Sequence, residues 1–380
     1  MNLYDILRYG HGIIHIIIHI AIMAGIFLEW KRGKRAIQAA KARVSVIIPV
    51  HNESARMGGL TRTLMEQTYK AQIVFVNDRS SDESPAILAQ FAKDAAVRGI
   101  DCRIITLTEN PGPNFKQYAL SRGITEADGD FFLFTDGDCE VPPDWIRTMI
   151  SRIQDEKTGA VIGPVFKKKQ EKGFFSLFQC YDHVLRYNYL AGATGMGAAG
   201  GGFGNNLIIS RKALDAAGGY DAIPPSPTED AALISIIRGK YNVRAITSGE
   251  AAVETEPEKT WRSFINQTLR WNNGGLFSPE ALTRFNFNLL AVIIGTGILA
   301  IPLLPFIPGL WPLSAGVFIN MIINTIAAFA LFRKNLSHNG SPGYFLCLLF
   351  MPFYFTMINI MGYLRIKTTW KEKDLIIKKN

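Results

Sequence analysis

The two ends of this chain are too apolar to form the surface of a water-soluble fold. Ile13 to Trp30 is nearly continuous hydrocarbon, close to the ~20 residues a membrane-spanning helix needs. Leu289 to Ile307, Leu313 to Phe332 and Tyr344 to Leu364 are three further stretches of this kind. Within a bilayer a backbone must satisfy its own polar groups, which restricts such segments to helices or a closed barrel. One helix before the middle of the chain and three after it are therefore expected. Pro302, Pro305 and Pro308 make the first of the three irregular, broken or re-entrant. The mean hydropathy of +0.11 and the 48% hydrophobic content over 380 residues are concentrated in these ends.

Lys31, Arg32, Lys34, Arg35, Lys41 and Arg43 follow the first stretch with no acid among them. Basic flanks stay cytoplasmic, so the N-terminus is expected outside and the domain that follows inside the cell membrane. A cleaved signal peptide carries its charge ahead of its apolar core; here the charge lies behind, which favours a retained anchor. Arg333 and Lys334 also suit a cytoplasmic loop. Three full spans would then put the Lys-rich tail after Arg365 outside, against the same rule, so the side of the tail stays open. The net charge of +9 comes largely from residues flanking apolar spans. Attraction to anionic lipid headgroups explains it better than nucleic-acid binding, and no nucleic-acid partner is expected. Cys102, Cys139, Cys180 and Cys347 show no paired spacing, which argues against a zinc site and a disulfide framework.

The middle of the chain has a different rhythm. Val44–Val50, Gln72–Asn77, Cys102–Thr108 and the run from Phe131 read as buried strands. Helical stretches lie between them, to about Tyr69, after Ser80-Ser81-Asp82-Glu83, which supplies N-cap chemistry, and from about Asn114 to Glu126. That alternation indicates an α/β fold with a mainly parallel sheet. Glu53, Asp78 and Asp136 each fall just past a strand's C-terminal end, the edge at which open α/β sheets bind ligands. Asp136-Gly137-Asp138 ends the strand at Phe131, and two carboxylates on a turn can hold Mg²⁺ or Mn²⁺ together with substrate phosphates. Further along, Ala160 to Phe166 reads as another strand. Lys167, Lys168, Lys169 and Lys172 then precede Phe174, Phe175, Leu177, Phe178, Tyr181, Leu185 and Tyr189 at helical spacing. A helix lying on the membrane surface and a core helix beside a solvated charge run both fit. Ala191–Asn206 is dense in Gly, suiting a phosphate cradle or a mobile loop, although its spacing matches no nucleotide fingerprint.

Val46-Ile47-Ile48-Pro49, Asn52-Glu53, Val76-Asn77-Asp78 with Ser80-Ser81-Asp82, and Asp136-Gly137-Asp138 together resemble the family 2 glycosyltransferases of the GT-A fold, over about Arg43 to Phe277. The resemblance implies a nucleotide-sugar donor, usually a UDP-sugar. It places Pro49, Glu53 and Asp78 on the donor side, Asp136 on the donor, and Asp138 with Asp136 on the metal. Where the family has an Asp-Asp pair this chain reads Asn77-Asp78, so only Asp78 takes the role. Lys116 falls where related enzymes place a basic residue near the donor; a solvated helix Lys is the alternative. The glycine-dense stretch would lie near the acceptor pocket. Thr228-Glu229-Asp230 matches the family's Glu-Asp motif and makes Asp230 the general base, although acids at this position also suit a helix start.

Gln267-Thr268-Leu269-Arg270-Trp271 matches the Gln-x-x-Arg-Trp motif of membrane family 2 enzymes, which include cellulose, chitin and hyaluronan synthases and ceramide glucosyltransferases. On a helix Gln267, Arg270 and Trp271 share a face. Arg270 can bind diphosphate oxygens in bidentate fashion, and Trp271 can pack beneath a sugar ring. His11, His15 and His19 fall four apart on the first span and are expected to pack on the other helices, beside the acceptor. The expected organisation is an anchor over 1–30, a basic linker over 31–43, a cytoplasmic catalytic domain with interfacial helices over 44–286, membrane helices over 287–366 and a basic tail over 367–380. The expected activity is inverting, metal-dependent transfer of a hexose, glucose by resemblance, from a UDP-sugar to a hydroxyl of a membrane lipid. A processive polysaccharide synthase is the rival, but four spans make a poor channel. A non-catalytic sugar-nucleotide sensor would not need both Asp138 and Asp230.

Overall fold

Val46, Ile48 and Val50 turn to one face of the first strand and Ile47 to the other, and all four are buried. A strand covered on both faces belongs inside a layered sheet. The computed structural model describes residues 3–34, 42–111, 114–153, 155–168, 173–224, 226, 228–332, 343–370 and 373–375. Arg35, Lys41, Lys169, Lys172, Arg333, Lys334 and the end of the tail lie outside the described residues.

A long helix α1 (Leu3–Gly33) precedes β1 (Val44–Val50), α2 (Gly58–Met65), β2 (Gln72–Asp78), α3 (Ser84–Val97), β3 (Cys102–Leu107), α4 (Phe115–Thr125) and β4 (Phe131–Phe134). Next come β5 (Cys139–Glu140), α5 (Trp145–Ser151), β6 (Thr158–Ile162), β7 (Val165–Lys167) and α6 (Phe174–Gly195). Then follow β8 (Leu207–Ser210), α7 (Arg211–Ala217), α8 (Glu229–Arg238), β9 (Asn242–Ala245), β10 (Val253–Thr255) and α9 (Trp261–Leu276). Three apolar helices, α10 (Ala281–Leu299), α11 (Trp311–Phe332) and α12 (Gly343–Tyr363), precede a hairpin of β11 (Thr368–Trp370) and β12 (Lys373–Leu375).

The main sheet has the order β3-β2-β1-β4-β8-β6-β9. Its neighbours run parallel except at β8, which is antiparallel to both β4 and β6. The mainly parallel sheet expected from the sequence is therefore present. The single strand expected over 160–166 is two. β6 lies in the main sheet and β7 in a small sheet of order β5-β10-β7. Pro164 has no N–H to continue a ladder. The chain bends there around Asn206, whose amide donates to the carbonyls of Pro164 (2.7 Å) and Ala251 (2.8 Å). Ser80-Ser81-Asp82 does two jobs. Asp82 Oδ1 accepts from the N–H of Ser84 at the start of α3 at 3.0 Å, while Glu83, the residue just before the helix, makes no capping bond. Ser80, Asp82 and Ser84 also zip the loop after β2 onto the loop after β1, accepting from the backbone N–H of Asn52, Ser54 and Glu53 at 2.9–3.1 Å. Asn52 and Arg79, one in each loop, sit at positive φ, strained conformations that cluster at functional sites.

α6 does not lie on a surface. Residues all round it are buried, and Tyr187 donates to the carbonyls of Ile162 (3.0 Å) and Ile246 (2.6 Å) in the sheet. Of the lysines ahead of it, Lys167 and Lys168 are described, and both pack against the protein. Lys167 is buried, and Lys168 pairs with Glu140 (2.8 Å) and Glu256 (2.6 Å). Of the two readings left open by the sequence, the core helix holds, but its charge run is paired rather than solvated, because those acids are distant in sequence.

Among the described residues four helices are long and apolar enough to cross a membrane: Tyr9–Gly33, Ala281–Leu303, Pro308–Phe332 and Gly343–Tyr363. Their outward faces carry Ile16, Ile17, Ile20, Ile319 and Ile326, a surface suited to lipid. α10 begins ahead of the expected Leu289 because Glu280 caps it, accepting from the N–H of Leu282 (2.9 Å) and Thr283 (2.7 Å). The three prolines fall in the tight turns between α10 and α11.

The first helix is built into the α/β layer. Glu29 is buried and accepts from the N–H of Ala245 in β9 at 3.0 Å. Gly25 crosses α6 at Gly192 and Gly195, and a Cβ on Gly25 would lie 1.9 Å from the Gly192 carbonyl oxygen. Small residues at such a crossing let two helix backbones touch. Gly192→Val should cost about 2–3 kcal/mol through forced separation of the helices, seen as a lower thermal midpoint in detergent. Gly10→Ala, with nothing within 4 Å of the added Cβ, should leave the midpoint unchanged.

Candidate active site

β1, β2 and β4 run parallel, so the loops at their C-terminal ends emerge side by side. Pro49 and Asp78 stand in the last residues of β1 and β2, and the loops carry Glu53, and Asp136 with Asp138. The start of α8 brings Glu229 and Asp230 to the same edge, and α9 brings Gln267, Arg270 and Trp271. One cavity of about 610 Å³ is lined by Pro49, Glu53, Asp78, Lys116, Asp136, Asp138, Asp230, Gln267, Arg270 and Trp271. Every site residue expected from the sequence thus faces one space, although their positions span more than half of the chain.

Several of these side chains are already engaged. Asp78 is buried, bonded to Arg79 (2.7 Å) and to the Asn110 amide (3.0 Å). Asn77, at the departure from the family pair, accepts from the Ser80 N–H at 3.3 Å and so shapes the turn. Lys116 is no solvated helix lysine: its ammonium lies 2.7 Å from Asp136 and 3.6 Å from Glu229. Burial works to lower its pKa, but Asp136, Glu229 and Asp230 outweigh that and raise it above the ordinary lysine value. Burial, reinforced by Asp136 and Glu53 against Arg56 and Lys167, pushes the Asp138 carboxyl up.

Asp230 is held in place. Its carboxylate accepts from the N–H of Gly204 (2.7 Å) and of Ala231 (2.8 Å). A Cβ on Gly204 would stand 3.1 Å from that oxygen, so the glycine permits the close approach. Burial and the adjoining Glu229 push the Asp230 carboxyl up to about 6, against the lowering influence of Lys116 and the two N–H groups. Burial also lowers the pKa of Arg270, with Glu229, Asp230, Asp136 and Glu258 opposing. The guanidinium keeps its charge. The glycine-dense stretch divides between two tasks: Gly192 and Gly195 serve the helix crossing, while Gly200, Gly201, Gly202 and Gly204 line the cavity.

Several cavity residues escaped the sequence reading. Arg56 bridges Glu53 (2.5 Å) and Asp138 (3.4 Å). Lys167 reaches Gln267 (3.4 Å), whose own amide donates to Glu258 (2.9 Å). Arg186 pairs with Asp182 (2.7 Å) and lies over Trp271, with His183 packed edge-on to the same indole. Burial, with Lys167 and Arg186 nearby, drives the His183 pKa well down. Arg56 sits one helical turn after Glu53, and that spacing was the available signal. The others depend on tertiary neighbours alone.

The lining holds three more carboxylates than Lys and Arg side chains. Its donors are hard oxygens, Asp136 and Asp138 among them, so the residues suit a divalent cation. Among the described residues no three acidic, His or Cys side chains form a ready-made metal cluster. A cation here would complete its shell with substrate phosphates.

Residues 45–218 match the model for glycosyl transferase family 2. This segment is a family 2 glycosyltransferase domain. The chain is 25% identical over 254 residues to the β-monoglucosyldiacylglycerol synthase of Trichormus variabilis, covering 66% of this chain and 52% of that protein. It is 26% identical over 278 residues to the probable glycosyltransferase YdaM of Bacillus subtilis, covering 68% of this chain and 63% of that one. The chain thus spans only half to two thirds of these relatives. The mannosyltransferase PcManGT of Pyrobaculum calidifontis, solved with GDP-Man and Mn²⁺, superposes with a TM-score of 0.52 at 18% identity, over 94% of this chain and 99% of that one. The family 2 domain has the GT-A fold, and four apolar helices able to cross a membrane accompany it.

Proposed function

We propose that this chain is an inverting, membrane-embedded glycosyltransferase that moves a hexose, glucose, from a UDP-sugar to a hydroxyl of a membrane lipid. The observation that carries this reading is the single cavity. It runs from the carboxylates of the sheet edge, past Asp230 and Arg270, to the side chains of α1, α10, α11 and α12. Donor chemistry and a lipid environment share one space. The names of the relatives support a lipid acceptor: one is a β-monoglucosyldiacylglycerol synthase, and an undecaprenyl-phosphate 4-deoxy-4-formamido-L-arabinose transferase matches at 30% over 137 residues, 39% of its length.

Glu53 and Asp78 take the nucleoside side, with Pro49 forming the wall beside them. Asp136 and Asp138 would hold Mg²⁺ or Mn²⁺, which when bound neutralises charge on the diphosphate. Arg270, with Gln267 and Lys167 beside it, gives the leaving diphosphate a fixed cationic hold. Trp271 supplies a flat face for the sugar or acceptor. Asp230 takes the proton of the acceptor hydroxyl as its oxygen bonds to the anomeric carbon. The carbon–oxygen bond to the diphosphate breaks on the opposite face, and its electron pair leaves with UDP. The catalytic domain is cytoplasmic in this reading, on the side of the basic flank after α1, with the N-terminus outside.

The test uses the full chain in lipid nanodiscs with UDP-[¹⁴C]glucose, Mn²⁺ and a total lipid extract. One glycolipid bearing a single sugar should form, one UDP appearing per product; EDTA should stop the reaction and Mn²⁺ restore it. A long polysaccharide product would favour the processive rival. Failure with UDP-glucose, UDP-galactose and UDP-N-acetylglucosamine alike would overturn the reading.

A further inference from the structure

Two cationic side chains of this chain stand against the turn Asp136-Gly137-Asp138, and they are held differently. The Lys116 ammonium is fixed between Asp136 (2.7 Å) and Glu229 (3.6 Å), and its side chain is 18% exposed. The Arg56 guanidinium lies 2.5 Å from Glu53 but 3.4 Å from Asp138, and its side chain is 42% exposed. Only the backbone of Arg56 is firmly placed. Its N–H donates to the Glu53 carbonyl at 2.9 Å, and the Glu53 N–H donates to Ser84 Oγ at 2.9 Å. The guanidinium can therefore leave Asp138 while its loop stays where it is. Glu53 itself packs on the turn, since a Cβ on Gly137 would stand 3.1 Å from Glu53 Cγ. Glu53 and Asp138 thus share one guanidinium, at the carboxylate that would also bind a divalent cation. A guanidinium and a divalent ion on the same carboxylate repel each other.

We propose that Arg56 competes with the divalent cation for Asp138 and yields that carboxylate when a nucleotide diphosphate arrives, so that the metal binds strongly only together with the donor. This rests on the donor-site reading above. The diphosphate gives the guanidinium new charged acceptor oxygens and gives the cation the rest of its oxygen shell. Both changes favour metal on Asp138. Coupling between two ligands is reciprocal, so the metal tightens the nucleotide by the same factor. Lys116 keeps its two carboxylates throughout, which leaves Asp138 as the contested group.

The test is Mn²⁺ binding to the full chain in phosphatidylcholine nanodiscs, without nucleotide and with saturating UDP. Electron paramagnetic resonance reads the unbound ion, and titrations of UDP without protein correct for the Mn²⁺ that UDP itself holds. Without UDP, Arg56→Met should bind Mn²⁺ about tenfold more tightly than wild type, the size of one charge-assisted hydrogen bond that no longer has to be broken. The gain in Mn²⁺ affinity on adding UDP should shrink by about the same factor. Arg56→Lys keeps a charge but cannot bridge two carboxylates in the same way, and should fall between the two. Arg62→Met removes an equal charge from α2, where Arg62 pairs with Glu140 at 3.0 Å. It should move Mn²⁺ affinity by less than about twofold, because an exposed charge is screened. An Arg56 that only ties its loop to the turn would, on replacement, lower the thermal midpoint and weaken Mn²⁺ and UDP together, and that result overturns the proposal. So does an unchanged Mn²⁺ affinity in Arg56→Met, or an equal gain in Arg62→Met. A wild type that binds neither UDP nor Mn²⁺ overturns the donor reading itself, whereas one that binds both independently overturns the coupling alone.

Discussion

Asp230→Asn should cut sugar transfer by about 10²–10⁴-fold, the range for loss of a general base, while UDP-sugar binds as before. The amide keeps the side chain's size and an oxygen for the Gly204 N–H, which bonds at 2.7 Å in the native chain. It cannot take a proton. The pH profile provides a second readout. With the Asp230 carboxyl raised to about 6, the base is protonated and idle below that pH and ionised above it. Transfer by the native enzyme should therefore climb through pH 6 to a plateau, and the residual rate of Asp230→Asn should lose that limb. The measurements are single-turnover rates across pH 5–8, with donor affinity from calorimetry. A variant that keeps most of its turnover would remove Asp230 from the chemistry.

Arg270→Ala should lower kcat by about 10²–10³-fold, as loss of a preorganised charge on a leaving group does. Arg270 answers to four carboxylates, Glu229, Asp230, Asp136 and Glu258. Removing it leaves those negative charges around the space the diphosphate would enter, so donor affinity should fall as well. Arg270→Lys should recover only part of the rate, since an ammonium cannot reproduce the planar fork. Steady-state kinetics with UDP release as the signal checks both variants. Native kcat in Arg270→Ala would show that the diphosphate is held elsewhere.

Much of this architecture was legible because its signals are local. Four apolar runs marked helices, and the acids just past the strands at Val44, Gln72 and Phe131 marked a sheet edge. The reading stopped where meaning depends on distant partners. Lys167 and Lys168 could be read as facing headgroups or water because their partners Glu140, Glu256 and Glu258 come from distant parts of the chain. Asp82 does bond to the start of α3, but nothing in the sequence says that its second oxygen also holds the Ser54 N–H across from it. The break at Gly163-Pro164 was missed because apolar residues continue on both sides, and only the bonding of Asn206 separates the strands. Arg56 went unnoticed in a loop expected to be helical. Its link to Asp138 joins residues from two different strand ends.

The crossing of Gly25 with Gly192 also has a consequence for biosynthesis. The first span leaves the ribosome well before its partner helix exists, by about ten to thirty seconds at ordinary elongation speeds. During that interval it sits in the bilayer with Glu29 and its histidines unsheltered, and the nascent transferase layer lacks a wall. Deleting residues 1–43 should therefore yield a chain that aggregates even in detergent, where the three remaining apolar helices are themselves covered. Supplying that helix as a separate polypeptide in the same membrane should rescue folding.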